Sequence, residues 1–292
     1  MTALGPTAQD IAARLGLRKY PRSWRGQCPA CDYSGATFAV RAGRTAPSLF
    51  CANGCDRATL AEVIAQRIGG VACTPPPERK PADDAEARQR KQDRALALWR
   101  GSEPVSGTLA EKYLRTRGLP DLATSPTLRF RGDCPHPEGG KLPAMIGLVT
   151  APDGQPCAIH RTYLRCDGSG KADVTPPKAS LGPFWACAIR LHEAGPELVV
   201  GEGIESVAAA GLLLGLPAWA AISAGNLARA MVLPEMVRAV TIAVDRDSAG
   251  ERAADDAARR WQAEGRRVRL MVPDMAGADA NDVLRARQVP NG

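Results

Sequence analysis

Three carboxylates stand at the ends of apolar runs. Glu202 follows Leu198-Val199-Val200-Gly201, while Asp245 and Asp247 follow the run from Ala239 to Val244. In extended chain, residues i and i+2 project to the same side, so Asp245 and Asp247 share a face. Each run opens into a turn and then a helical pattern, which reads as a buried parallel strand. Open α/β sheets place their ligands at the carboxyl ends of such strands, and right-handed winding brings the two ends to one edge. Acids gathered there repel one another, and a hard divalent cation with oxygen ligands relieves the repulsion. Magnesium so held activates an attacking hydroxyl and neutralises a leaving pyrophosphate. Asp247 has a plainer role open to it, as the cap of a helix beginning near Ala249.

A second set is made of thiols. Cys28-Pro-Ala-Cys31 and Cys51-Ala-Asn-Gly-Cys55 are two close pairs separated by 19 residues. Each short spacing folds as a tight turn with both sulfurs facing one point, and two such turns make the tetrahedral cage that zinc prefers. Gly35 and Gly54 supply the turns, and the stretch between the pairs alternates like a hairpin. Four thiolates leave no open coordination position, so this zinc would be structural. Arg22, Arg25, Arg41 and Arg44, with Tyr20, Trp24 and Phe38, either offer charge and stacking faces to nucleic acid or cover a small module that lacks a core. Cys134-x-His136 and Cys157-x2-His160 either form another metal site or, on strands of a domain large enough to bury small thiols, read as core residues, the reading preferred here; Cys73, Cys166 and Cys187 read as small core or surface residues.

These sites need elements to hold them, and the 292 residues are enough for about two domains or more. The chain divides into a cysteine module over 1–72, a linker over 73–94, a basic α+β region over 95–195 and a strand–helix repeat over 196–292. The linker begins proline-rich and ends as the solvated start of a helix reaching Trp99. From Glu197 onward strands and helices alternate at a spacing that calls for a parallel sheet covered on both faces. Hydrophobic residues are 45% and aromatics 4%, so the core must rest on Ala, Val, Leu and Ile. That composition excludes a collagen, a coiled coil and a wholly disordered chain.

Charge is uneven along the chain. Residues 1–94 carry 15 Lys/Arg against 9 Asp/Glu, whereas residues 196–292 carry 11 against 13. A basic front with an acidic rear suits a polyanion met first and cations gathered later; simple solubility explains the same balance. No charge lies between Glu205 and Arg229, yet Gly211, Gly215 and Pro217 interrupt that stretch, which reads as a buried helix, a turn and a buried strand. The first residues show no signal-peptide pattern, so a cytosolic (cytoplasmic) protein is expected, its nine cysteines reduced or metal-bound and no membrane among its partners.

Glu202-Gly203 after one apolar strand and Asp245-x-Asp247-x-Ala249-Gly250 after another resemble the Toprim domain of primases, topoisomerases and related enzymes. The four-cysteine unit resembles the zinc-binding domain of bacterial DnaG-like primases, and the order of parts is similar to the primase portion of mobile-element primase-helicases. The resemblance implies an α/β fold: a zinc ribbon, a mixed α+β basic domain and a Rossmann-like Toprim domain. It implies Glu202 as the catalytic acid/base carboxylate, Asp245 and Asp247 as Mg²⁺ ligands, and Asp279 and Asp282 of Gly-Ala-Asp-Ala-Asn-Asp as further metal contacts. Two departures stand out. Ser206 occupies the place of the family's usual Asp, with Glu205 one position away, and the module has four cysteines where many relatives use a histidine.

The implied activity is template-directed synthesis of short primers on single-stranded DNA from nucleoside triphosphates. Arg161, Arg165, Lys171 and Lys178, with Arg25 and Arg41, would then hold template backbone or triphosphate. Gly168-Ser169-Gly170-Lys171 is not a P-loop, because Ala172 fills the Ser/Thr position. A helicase would therefore act in trans. The alternatives are a non-catalytic DNA-binding or recombination-mediator protein, and a Toprim nuclease.

Overall fold

In the computed structural model the described residues are 6–32, 36–43, 46–69 and 81–288. Gly35, Arg44, Cys73 and the proline-rich start of the linker lie outside them. The chain forms two compact units, one of Met1–Ala85 with Pro135–Gly140, the other of Glu86–Cys134 with Lys141–Gly292.

In the first unit, helix α1 (Ala8–Arg14) starts with a capping box: Asp10 N donates to Thr7 Oγ1 and Thr7 N donates back to Asp10 Oδ2. Strands β1 (Arg18–Tyr20), β2 (Ser23–Gly26), β3 (Phe38–Arg41) and β4 (Ser48–Cys51) form an antiparallel sheet in sequence order. Helix α2 (Arg57–Arg67) follows, capped by the Asp56 carboxylate. Ile11, Phe38, Val40, Leu60 and Ile64 make its small core together with Cys28 and Cys51. So few apolar residues are marginal by themselves, which is the situation in which a structural metal is used.

The second unit holds most of α3 (Pro81–Arg100), which begins in the later part of the stretch read as a linker. Strand β5 (Glu103–Pro104), helix α4 (Leu109–Thr116) and a 3₁₀ turn (Pro120–Thr124) lead to β6 (Leu128–Pro135), β7 (Lys141–Thr150), β8 (Pro156–Tyr163) and β9 (Lys178–Leu181). These five strands form one sheet in the order β5-β6-β7-β8-β9.

A second sheet is built from β10 (Ile189–Arg190), β11 (Glu197–Gly201), β12 (Ala218–Ala220), β13 (Ala239–Ala243) and β14 (Arg267–Met271) in the order β10-β12-β11-β13-β14. The four later strands run parallel, as the strand–helix alternation requires. The difference from expectation is β10, which adds an antiparallel edge from a segment read as part of the middle region.

Helices α5 (Ile204–Leu214) and α8 (Ala280–Gln288) cover one face, and α6 (Ala224–Arg229) and α7 (Ser248–Ala263) the other. Strand residues sort by parity: Leu198 and Val200 pack with Trp219 and Trp261 on the α7 side, while Val199 joins Ile204, Val207 and Leu284 opposite. The latter cluster also takes in Met145, Val149 and Ala158 of the first sheet, so both sheets of this unit share one core.

Candidate active site and zinc site

The parallel pairing of β11 with β13 sets Gly201 opposite Ala243, so Glu202 and Asp245 emerge at neighbouring strand tips. Two glycines make the rim tight. A Cβ on Gly201 would come within 2.8 Å of the Ala243 carbonyl, and one on Gly250 within 2.2 Å of the Asp245 carbonyl. The first turn of α7 therefore tucks beneath Asp245 only because residue 250 has no side chain.

Four carboxylates act on one cation here. Lys178, at the start of β9, places its Nζ 4.0 Å from the point that a Cβ on Gly203 would occupy. Burial works against its charge, but Glu205 first, then Glu202, Asp245 and Asp279, outweigh that and raise its pKa above the ordinary lysine value. Asp245 moves the other way from most carboxylates. Burial, then Asp279, then Asp247 push its pKa up, against Lys178 and a 3.1 Å bond donated by Ser206 Oγ. Ser206 thus stands where the family's Asp would be and hydrogen-bonds the neighbouring acid.

Asp247 and Asp282 are placed differently. Asp247 is exposed and caps α7, its Oδ1 accepting from Ala249 N at 3.0 Å and Gly250 N at 2.8 Å. Asp279 and Asp282 bond each other's backbone N–H groups in the same way at the head of α8, at 3.0 and 3.2 Å. Asp279 acts electrostatically on Lys178 and Asp245, whereas Asp282 is exposed on the first turn of α8. Glu202, Asp245 and Asp279 thus share one electrostatic centre, and the other two acids organise helix starts beside it. No three carboxylates among the described residues have their oxygens all within 4.8 Å of one another, a spacing that only the four cysteines meet. The acids are hard oxygen donors around a partly buried, charge-strained Asp245, which fits Mg²⁺ in chemistry.

The basic residues divide sharply. Lys171 Nζ lies 3.4 Å from Glu205 Oε1, and Lys171 lines a cleft of about 350 Å³ together with Arg117, Arg165 and Arg285. Arg165 also pairs with the exposed Asp173 at 2.9 Å. Arg161 is 6% exposed, and its guanidinium donates to the Ala179 and Ser180 carbonyls, so it braces β8 against β9 and does not present a free phosphate contact. Arg25 is likewise 6% exposed and held 2.8 Å from Glu138, a structural role in place of the expected nucleic-acid contact. Arg41 is partly exposed, 3.7 Å from the same carboxylate. Of the proposed stacking faces, Phe38 is fully buried in the core and Trp24 lies under Lys19 Nζ at 3.3 Å, while among the described residues of this unit Phe50 is an exposed aromatic.

Glu205 and Glu138 were not singled out as site residues from sequence. Glu205 had a signal: it is the one acid at the head of a long charge-free stretch, and the structure buries it to 4% exposure. Glu138 sits in a plain Pro-Glu-Gly-Gly turn that carried none.

The four cysteines come together as their spacing requires. Cys28 and Cys55 sulfurs are 3.8 Å apart, as are those of Cys31 and Cys51, and all four Sγ atoms lie within 4.8 Å. With Zn–S bonds of about 2.3 Å, a tetrahedral cage has edges of about 3.8 Å. Gly54 turns at φ +75° to close the second knuckle. Burial and the adjacent thiol of Cys28 push Cys55 up to about 12, and Cys51 rises further still through Cys28 and Cys31. Thiols so placed ionise together only around a cation, so the residues present fit zinc. Cys134, His136, Cys157 and His160 form no such group; the Cys157 sulfur lies 3.4 Å from Cys187, and burial holds His160 down at about 3.

Residues 89–191 match a family model described as a domain of unknown function (DUF7146), and residues 197–288 match the Toprim domain model. No curated protein matches the chain. Among solved structures, the DnaG primase catalytic domain bound to ssDNA is similar at 19% identity, over 70% of this chain and 77% of that one, with a TM-score of 0.49. The zinc-binding and RNA polymerase domains of Aquifex aeolicus primase are similar at 15% identity over 95% and 80%, TM-score 0.47. The primase fragment of the bacteriophage T7 primase-helicase is similar at 14% over 91% and 96%, TM-score 0.44. No helix among the described residues is long and apolar enough to cross a membrane. With the matched span beginning at β11 and taking in the strand tips that carry Glu202 and Asp245 and the head of α8 that carries Asp279, residues 197–288 are a Toprim domain.

Proposed function

We propose that this protein is a DNA primase that joins nucleotides on a single-stranded DNA template. The observation that carries the reading is the emergence of Glu202 and Asp245 at the adjacent tips of β11 and β13, with Asp279 at the head of α8 acting on the same Lys178. Glu202, Asp245 and Asp279 would hold Mg²⁺, with Asp247 and Asp282 at its margin. Bound there, the ion neutralises charge on the attacking and leaving oxygens of phosphoryl transfer. Lys178 and Lys171 would meet the negative charge of an incoming nucleoside triphosphate, and Glu202 would accept the proton of the attacking 3′-hydroxyl. Phosphate contacts supply most of the template affinity, from the cations of the cleft and from Arg41 of the zinc unit. The four-cysteine site holds Zn²⁺ as a structural ion. Where duplex opening is needed, a helicase would supply it.

The test incubates the protein with single-stranded DNA, Mg²⁺ and labelled ribonucleotides beside Asp245→Ala. Short metal-dependent products that vanish in the variant support the reading. Degraded template makes the protein a nuclease, and binding with neither product makes it a mediator; either outcome ends the primase reading.

A further inference from the structure

Glu205 lies on the first turn of α5, one residue before Ser206 and three after Glu202. A carboxylate at 4% exposure costs free energy unless cations and donors surround it. Here they do. Tyr113 Oη, from α4, donates to Glu205 Oε1 at 2.5 Å, and Lys171 Nζ stands 3.4 Å from the same oxygen. On the other side, a Cβ on Gly203 would lie 3.7 Å from Glu205 Oε2 and 4.0 Å from Lys178 Nζ, so the second oxygen and the second lysine flank the same glycine. Tyr113 is fully buried, and its phenol is pushed up by burial and then by Glu205, which keeps it a donor.

The two lysines face different places. Lys171 lines the cleft with Arg117, Arg165 and Arg285, a set with no carboxylate among the lining residues. Lys178 faces the rim of Glu202, Asp245 and Asp279. One buried carboxylate therefore stands between the basic cleft and the acidic rim, paired directly with Lys171 and acting across Gly203 on Lys178.

We propose that Glu205 is a positioning residue: anchored by Tyr113, it holds Lys171 at the cleft wall and Lys178 at the carboxylate rim, so that both ammonium groups meet the phosphates of one bound triphosphate. The proposal rests on the reading of Lys171 and Lys178 as phosphate contacts. Glu205 itself touches no reacting atom. Its work is to fix the place of two flexible side chains.

The test measures binding of inorganic tripolyphosphate and of a non-hydrolysable nucleoside triphosphate, each with Mg²⁺, to the full chain by titration calorimetry. Glu205→Gln preserves shape and removes charge, and Lys171→Met removes the cation; each is expected to weaken binding about tenfold, as loss of one charged hydrogen-bonding group does. Because the two groups act as a unit, the double variant should bind within about twofold of the weaker single variant. Unchanged affinity in Glu205→Gln overturns the proposal, and so does a double variant that loses the product of the two single effects, about a hundredfold. A merely structural Glu205 would lower the thermal midpoint and leave the affinity of the folded fraction untouched. Should Glu205→Gln not fold, Tyr113→Phe keeps every charge and removes only the anchoring hydroxyl; an expected loss of about threefold replaces it, and no loss overturns the proposal. A wild-type protein that binds neither probe also overturns it. If the wild type binds tripolyphosphate but makes no primers, the functional reading fails while the role of Glu205 stands.

Discussion

Replacing Glu138 by alanine should dismantle the first unit. Its side chain is 5% exposed and accepts from three donors: Ser23 Oγ at 2.6 Å, Arg25 Nε at 2.8 Å and Arg22 N at 2.9 Å. Ser23 and Arg25 belong to β2, which leads directly into Cys28. Truncation leaves the buried Arg25 guanidinium without its counter-ion, a loss of about 3–5 kcal/mol. In a domain of this size each kcal/mol moves the midpoint by about 4–8 °C, so the expected fall is at least about 12 °C. Zinc release during heating, read with a chromogenic chelator, follows this unit separately from the rest of the chain. Adding Arg25→Met to Glu138→Ala removes the stranded charge, and that double variant should melt above Glu138→Ala alone. The pH dependence has a fixed sign. Burial would raise the Glu138 pKa, but Ser23, Arg25 and Arg22 N hold it below its ordinary value of 4.5. The stabilisation is therefore complete above that value and is lost as pH falls through the lowered pKa. A Glu138→Ala protein that melts within about 2 °C of wild type and keeps its zinc would refute this reasoning.

Three further outcomes follow from the two sites. Asp247→Ala should cost about 1 kcal/mol through the lost α7 cap, while Asp247→Asn keeps the cap and the stability yet lowers primer synthesis; thermal melts beside the primer assay separate the roles. Asp245→Asn should melt above wild type in chelator at neutral pH, because a carboxyl whose pKa is raised by burial and Asp279 costs stability when ionised; the advantage should shrink as pH falls and wild-type Asp245 takes its proton. Elemental analysis should find about one zinc per chain, and Cys51→Ser should lose it together with the cooperative melting of the first unit.

The C-terminal sheet was legible because its strands are short apolar runs closed by glycine or acid, and the helix over Ser248–Ala263 shows alanines at helical spacing. Cysteine spacing alone gave the zinc cage its four members. Sequence could not sort the arginines: Arg25 and Arg161 look like any surface cation until a buried Glu138 or a pair of strand carbonyls claims them. Phe38 and Phe50 show the same limit, since alternation in a short hairpin does not say which face is inward; the structure buries Phe38 and leaves Phe50 at 55% exposure. Strand β10 was missed because two residues carry no periodic signal.

That short strand bears on how the chain may be cut. Ile189 packs with Val207, Ala218 and Ala220, and Met145 and Val149 close over the same helices from the other sheet. A fragment started at residue 197 would bare the apolar flank of α5 and α8 and leave Ala218–Ala220 as an open edge able to recruit foreign strands. Expressed that way the C-terminal part should clump, whereas a fragment started at residue 86 keeps both halves of the shared interior.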